Sequence, residues 1–200
     1  MKLLTGPTSP FARKVAVVLH EQGMTDSVQM EVVMTTPIDI NASVAAANPL
    51  GKIPALIRDD GIALYDSRVI CRYLDAQGGG TLYPETRLWE TLTLEATGDA
   101  IMDAGILMIY EVRMRPEAKQ WDGWIDAQSS KITAALDALE ARWIAHLAGP
   151  LDMGQIAVGC ALSYLDFRQP DRDWRSGHPQ LAAWHAVFDQ RDSMQATKPT

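Results

Sequence analysis

Thr8-Ser9-Pro10-Phe11-Ala12-Arg13-Lys14 decides how the first part of this chain folds. The stretch follows a short apolar run, Leu3-Leu4, and opens a pattern in which Phe11, Val15, Val18 and Leu19 recur at helical spacing. Ser9 stands where an N-cap belongs and Pro10 where the first helical residue belongs. A hydroxyl is thereby held at the positive end of a helix dipole, directly after a strand. Such a place suits the stabilisation of an anion. A Ser-Pro helix start taken alone is most often only a cap. Any further duty of Ser9 depends on what the rest of the chain assembles around it.

Outward from this stretch, Lys2 to Thr5 reads as a strand, residues 10–22 as an amphipathic helix stopped by Gly23, and Val28 to Met34 as a second strand. Strand, helix and strand make a βαβ unit, which favours parallel pairing. A short helix is expected near Ser43–Ala47. Pro54 to Arg58 and Ile62 to Tyr65 read as a hairpin around Asp59-Asp60-Gly61. Asp66 or Ser67 then caps a helix that runs to about Gln77 and stops at Gly78-Gly79-Gly80. The order β-α-β, link, β-β-α predicts a mixed sheet with helices on its faces, a thioredoxin-like α/β domain over residues 1–77. Where such domains often carry Cys-x-x-Cys, this chain has Thr8-Ser9-Pro10-Phe11.

Residues 78–86 read as a linker, and from 87 to 200 an all-helical domain is expected. Arg87 to about Met114 and Asp122 to His146 are long helical patterns. Asp152-Met153-Gly154-Gln155 is a capping-box-like start for a nearly all-apolar helix, Ile156 to Phe167, expected at the domain's buried centre. A last helix runs from Pro179 to about Gln190, and the tail from Gln195 is expected to be loosely held.

Composition narrows the function classes. Hydrophobic residues make up 47% of the 200, enough for a real core. No apolar run approaches the ~18 residues of a membrane span, and the N-terminus does not read as a signal peptide, so a cytoplasmic protein is expected. The net charge is −7 and is uneven: residues 1–77 carry seven basic and eight acidic side chains, residues 78–200 eleven and seventeen. Without a basic stripe, nucleic acid is not an expected partner. Cys71 and Cys160 both lie in apolar helical patterns and read as buried thiols, so no metal site is expected.

Three stretches of the first domain are candidates to converge. Besides Thr8-Ser9-Pro10 there is Asn48-Pro49-Leu50-Gly51-Lys52-Ile53-Pro54, where two prolines and a glycine fix a turn leading into a strand. With a cis Ile53–Pro54 bond, the Ile53 N–H and C=O would face outward and could pair with an extended peptide ligand. Pro at a strand start is also tolerated without any such role, and cis bonds are only ~5–6% of X–Pro bonds. The third stretch, Tyr65-Asp66-Ser67-Arg68, places a carboxylate, a hydroxyl and free N–H groups at a helix start. It can hold a ligand's carboxylate and ammonium, or serve only as a cap.

The ordered set Ser9-Pro10-Phe11, Asn48-Pro49-x-Gly51-Lys52-Ile53-Pro54 and Asp66-Ser67 resembles the glutathione S-transferase superfamily. The helical second domain, with its central helix begun by a capping box, agrees. The resemblance implies a bacterial-type cytosolic member with an active-site Ser, a homodimer that detoxifies small apolar electrophiles or reduces hydroperoxides with glutathione. It implies that Asp66 and Ser67 hold the γ-glutamyl end of the tripeptide, that Ile53 pairs with the cysteinyl backbone beside a cis Pro54, and that Lys52 approaches the glycine carboxylate. Ser9 would donate to the sulfur, with Thr8 as the alternative hydroxyl and Phe11 among the substrate-binding residues. Met102, Ile106 and Tyr110, together with Met108 and Ile109, are candidates to line the electrophile site, and each reads equally well as core or subunit interface. Many relatives have Tyr where Thr5 stands, or Cys near Ser9, and this chain has neither. Thiol transfer is therefore less expected than thiolate attack or peroxide reduction. At the capping box the family usually has Ser/Thr and then Asp, where this chain has Asp152 and Gln155. A second reading is a non-catalytic member of the fold serving as a ligand-binding or protein-interaction module.

Overall fold

The computed structural model describes residues 1–199. The chain divides into two compact units, the first comprising Met1–Glu85 and the segment from Asp192 on, the second Thr86–Arg191.

The first unit is built on a four-stranded mixed sheet. Strand β1 (Lys2–Thr5) leads into helix α1 (Pro10–Glu21) and then β2 (Gln29–Val32). A short helix α2 (Ala42–Ala47) precedes β3 (Ala55–Ile57) and β4 (Ala63–Leu64), and helix α3 spans Ser67–Gly78. The strand order is β2-β1-β3-β4, with β1 and β2 parallel and β1, β3 and β4 successively antiparallel. This is the mixed, thioredoxin-like sheet that the element order predicts. β2 is an edge strand. Its Met30 and Val32, which the alternating pattern would send inward, are exposed, while Val28 and Val33 at its two ends are buried. Behind the sheet, Leu4, Val33, Val44 and Ala55 form a core on which Ile53 and Ile57 pack.

The stretch 78–86, expected as a linker, is partly packed. Leu82 is buried, and its N–H donates to the Asp75 carboxylate at 2.9 Å, a group that also accepts from the Gln22 side chain at 2.7 Å. The helical domain does not extend to residue 200, for the segment from Asp192 on belongs to the first unit. Helix α9 (Asp192–Ala196, so numbered in chain order) packs on α1. Met194 is fully buried. The Arg13 guanidinium donates to Met194 C=O at 3.0 Å, and the Ser193 hydroxyl donates to Glu21. One buried apolar side chain and a charged donor on the terminal carbonyls of a short helix are enough to fix it.

The second unit is helical. It comprises α4 (Leu88–Met114), α5 (Asp122–Arg142), α6 (Ile144–Leu147), α7 (Met153–Arg168) and α8 (Pro179–Phe188). The pattern read as one helix from Asp122 to His146 breaks at Trp143 into α5 and α6. α7 is buried from Met153 through Leu165, as its sequence predicts. It packs on α4 through glycines. A Cβ on Gly98 would lie 2.6 Å from the Ala157 carbonyl carbon, and one on Gly154 2.6 Å from Leu94 Cβ. The capping box forms with both reciprocal bonds. The buried Asp152 carboxylate also meets Thr91 at 3.1 Å, His146 at 2.7 Å and Arg87 at 3.2 Å.

Candidate functional site

α1 begins as its sequence dictates. Ser9 has extended backbone angles, and its Oγ accepts from the Ala12 N–H at 3.3 Å. That bond uses a lone pair and leaves the Ser9 O–H free to donate. Capping and donation to an anion are thus compatible in one hydroxyl. Ser9 is half-buried, and Thr8 is exposed just ahead of the cap. Phe11, in the first turn, is half-buried.

The second stretch is held against the first. Ile53 Cδ1 lies 2.7 Å from where a Gly6 Cβ would stand, so the β1–α1 loop packs directly on the tip of the Ile53 side chain. The Gly6 C=O in turn accepts from the Ser9 N–H at 3.1 Å. The Ile53–Pro54 peptide is cis, and the β1–β3 ladder begins only at Ala55, so the Ile53 backbone lies outside it. Gly51 has a φ of +66° with the Ile40 side chain packed on it. Asn48 is buried and clamps the turn. Its Nδ2 donates to Lys52 C=O at 2.8 Å and its Oδ1 accepts from Leu50 N–H at 3.0 Å. Lys52 itself is exposed.

At the third stretch, Asp66 rather than Ser67 is the N-cap of α3, its Oδ1 accepting from Arg68 N–H at 3.0 Å. The Tyr65–Asp66 peptide is also cis. Ser67 is buried in the first turn. Arg68 Nη2 pairs with Asp66 Oδ2 at 2.7 Å. Burial pushes the Asp66 carboxyl up, but the hydrogen bonds and charge of Arg68, joined by the charge of Lys14, outweigh it and hold the group below the usual carboxylate range. Lys14 is fully buried on α1, and its charge reaches the start of α3. Ser9, Ile53 and Asp66 are thus tied into one neighbourhood by Gly6 and Lys14. Gly6 meets a residue 47 positions away in the sequence, and no local signal announces that contact.

In the second unit the candidate electrophile-site residues divide. Met102 is fully buried and Met108 nearly so. Ile106, Ile109 and Tyr110 keep part of their surface. The Tyr110 hydroxyl is pushed up by burial, so it stays protonated at neutral pH.

Residues 8–77 match the glutathione S-transferase N-terminal domain family, and residues 122–186 match the glutathione S-transferase C-terminal domain family. The chain is 33% identical to the uncharacterized GST-like protein YibF of Escherichia coli, over all of this chain and 98% of that one. The chain belongs to the glutathione S-transferase family. This transferase is also similar to a glutathione transferase family member of Pseudomonas fluorescens Pf-5 solved with bound glutathione, at 49% identity and a TM-score of 0.97 over 100% of this chain and 98% of that one. A second structure of a family member from that organism, at 48% identity and a TM-score of 0.92 over the whole of both chains, holds S-(propanoic acid)-glutathione. A glutathione S-transferase of Methylobacillus flagellatus, solved with glutathione bound, is 37% identical with a TM-score of 0.87 over 100% of this chain and 99% of that one. Each of these three relatives was solved with glutathione or a glutathione conjugate bound. Among the described residues, no group of His, Cys, Asp and Glu side chains is placed to hold a metal ion, and no helix is long and apolar enough to cross a membrane.

Proposed function

We propose that this chain is a working glutathione transferase that ionises the thiol of glutathione at the N-terminus of α1 and directs the thiolate at a small electrophile. The observation that carries this reading is the Ser9 hydroxyl, which accepts the Ala12 N–H and so keeps its own proton for donation. In this reading Asp66 and Ser67 receive the γ-glutamyl end. The Ile53 backbone pairs with the cysteinyl residue beside cis Pro54, and exposed Lys52 approaches the glycine carboxylate. Phe11 lies against the bound tripeptide. Thr8, one residue ahead of the cap, is the second hydroxyl within the same turn.

A free thiol has a pKa near ~8.5, so only ~3% is ionised at pH 7. A hydrogen bond to a charged acceptor contributes ~1.5–3 kcal/mol and a helix N-terminus ~0.3–1 kcal/mol. Together they bring the thiol to about neutrality, at 1.36 kcal/mol per pKa unit. The thiolate then forms the new C–S bond while the electrophile's leaving group departs with its electron pair, or while a conjugated double bond takes up a proton. The same thiolate reduces a hydroperoxide when the O–O bond is the electrophile, two glutathiones being oxidised to the disulfide. That a relative binds glutathione carrying a propanoic acid on sulfur supports a site with room for an S-substituent.

The reading includes a homodimer in the cytoplasm that removes reactive small molecules. Leu50 and Val69 leave apolar side chains 64% and 48% exposed, surface a second copy would cover. Cys71 and Cys160 form no disulfide, as suits a compartment kept reduced.

Retention on immobilised glutathione, followed by a thiolate difference spectrum of the complex, tests the assignment. Retention with thiolate absorbance at neutral pH is expected. Retention without it would instead favour a binding module of the same fold.

A further inference from the structure

The second unit carries a cleft of about 210 Å³ between α5 and the loop that joins α7 to α8. On α5, Ser129, Ile132 and Leu136 line it at intervals of three and four, which puts them on one helix face. Leu165 of α7 joins the lining. It is buried, as are Ile132 and Leu136, so the floor of the cleft is apolar. Arg172 and Asp173 of the loop also line the cleft, and both are exposed. All of these residues belong to one compact unit.

The loop is fixed on both sides. Asp166 of α7 binds the Arg175 guanidinium through both oxygens and accepts from Trp174 Nε1 at 2.8 Å. Toward α5, buried His178 meets Asp137 Oδ1 through Nε2 at 2.9 Å, and the Trp174 C=O through Nδ1 at 2.6 Å. A site formed before its ligand arrives spends little ordering entropy on binding. The Arg172 guanidinium reaches over to α5, where Nη1 donates to Ser129 Oγ at 2.7 Å. That bond uses a lone pair of Ser129 and leaves its O–H to donate. Among the described residues, no carboxylate pairs with Arg172. Asp173 Oδ1 accepts from the Arg175 N–H at 3.2 Å, and its second oxygen takes no hydrogen bond among the described residues. The Arg175 guanidinium feels the Asp173 charge but is held by Asp166.

The cleft therefore presents a guanidinium, a hydroxyl and a carboxylate above an apolar floor. A carboxylate ligand group matches the guanidinium fork, and an ammonium matches Asp173. A ligand with a carboxylate alone would meet Asp173 as a like charge, and one with an ammonium alone would so meet Arg172. A zwitterion avoids both penalties. At roughly the 30 Å³ that a water takes up in the liquid, the 210 Å³ of the cleft holds about seven non-hydrogen atoms. We propose that this cleft is a second ligand site, for a free α-amino acid with a short aliphatic side chain. Its carboxylate is bound by Arg172 and Ser129, its ammonium by Asp173, and its side chain lies on Ile132, Leu136 and Leu165. The assignment does not depend on the thiol chemistry proposed above.

Calorimetry on the full chain with L-leucine as the probe tests this, alongside NMR spectra of the Ile and Leu methyl groups. Leucine should bind saturably and shift the methyl signals of Ile132, Leu136 and Leu165. Leucinamide lacks the carboxylate and isocaproate lacks the ammonium, and each should bind roughly tenfold or more weakly than leucine. Arg172→Gln should erase the difference between leucine and leucinamide while keeping that between leucine and isocaproate. Asp173→Asn, which keeps an oxygen for the Arg175 N–H, should do the reverse. Both positions are exposed, so the variants are expected to fold, and each is judged by a ratio of affinities that a partial loss of stability does not blur. Isocaproate or leucinamide binding as tightly as leucine would overturn the amino-acid assignment. Methyl signals at the cleft that stay still up to tens of millimolar leucine would overturn the site itself.

Discussion

Replacing Ser9 by Ala removes two things at once, and the structure separates them. The first is the cap. The Ser9 Oγ···Ala12 N–H contact is 3.3 Å, beyond the usual ~2.7–3.2 Å range for an N–H···O bond. Its loss should cost near the low end of the ~0.5–2 kcal/mol typical of N-caps. The second is the O–H that the proposed function gives to the sulfur, worth ~1.5–3 kcal/mol against a charged acceptor, or ~1–2 units in the pKa of the bound thiol. The backbone N–H groups at the start of α1 are unchanged in the variant, so the helix contribution of ~0.3–1 kcal/mol stays. Thiolate absorbance of bound glutathione, followed from about pH 5 to 9, should titrate ~1–2 units higher in Ser9→Ala than in the wild type. Turnover should fall about 10- to 100-fold at pH 7. The deficit should shrink as the pH rises through the variant's own thiol pKa, because above it both proteins hold thiolate. Thr8→Val, made alongside, should change neither quantity. A Ser9→Ala deficit that stays constant across the pH range would refute the donor role, and a deficit found instead in Thr8→Val would move it one residue back.

Further outcomes concern the frame and the charge around the site. Gly98→Ala should destabilise the helical unit by more than 2 kcal/mol, since its Cβ would stand 2.6 Å from Ala157 backbone and backbone cannot yield as a side chain tip can. Chemical denaturation measures this, and a loss under ~0.5 kcal/mol would contradict the contact. Gln155→Asp, which would bring in the acid usual at that position in the family, should cost ~3 kcal/mol or more. The Gln155 amide donates to the carbonyls of His146, Leu147 and Gly149, and a carboxylate would leave buried acceptors unpaired. A more stable Gln155→Asp protein would show that this network carries no weight. Arg68→Ala should let the Asp66 carboxyl rise toward the ordinary carboxylate range in an NMR titration, because Arg68 supplies most of what holds it down. The sign for stability follows from the depression: the contribution is complete above the unfolded carboxylate pKa and is lost as the pH falls through the lower folded value. An Asp66 titration indifferent to Arg68 would refute the assignment.

Much of the first unit was legible because its signals are local. Ser9-Pro10 marks a helix start by cap and ring geometry. Asp59-Asp60-Gly61 marks a hairpin, with Gly61 at a φ of +84°, and the element order alone implies a mixed sheet. The capping box at Asp152 and Gln155 is likewise a four-residue pattern. What escaped the sequence is long-range. Met30 and Val32 alternate as an inward-facing strand should, yet lie exposed, because which face of an edge strand is covered depends on other elements. Nothing near residue 194 announces that Met194 will be buried beside α1, since the partner that fixes it, Arg13, lies 181 residues away. Lys14 reads as one more charge on an amphipathic helix, and only the fold encloses it completely. The three candidate stretches could be named from sequence because each is a turn or a cap. Their convergence could not, because it rests on contacts between residues far apart in the chain, such as Gly6 with Ile53.

The cap residue also bears on the class of reaction. A thiol at the start of α1 would be activated by the same dipole and could form a mixed disulfide with glutathione. Ser9 can do no such thing: an oxygen forms no disulfide. The chain's own thiols offer no substitute, for Cys71 is 0% exposed and Cys160 1%, and exchange requires a sulfur that another sulfur can approach in line. In the proposed function the sulfur chemistry at this site therefore belongs to glutathione alone, and the protein's part is to ionise it and to aim it. A donor that ionises a thiol without bonding to it leaves the thiolate free to meet a carbon centre or an O–O bond.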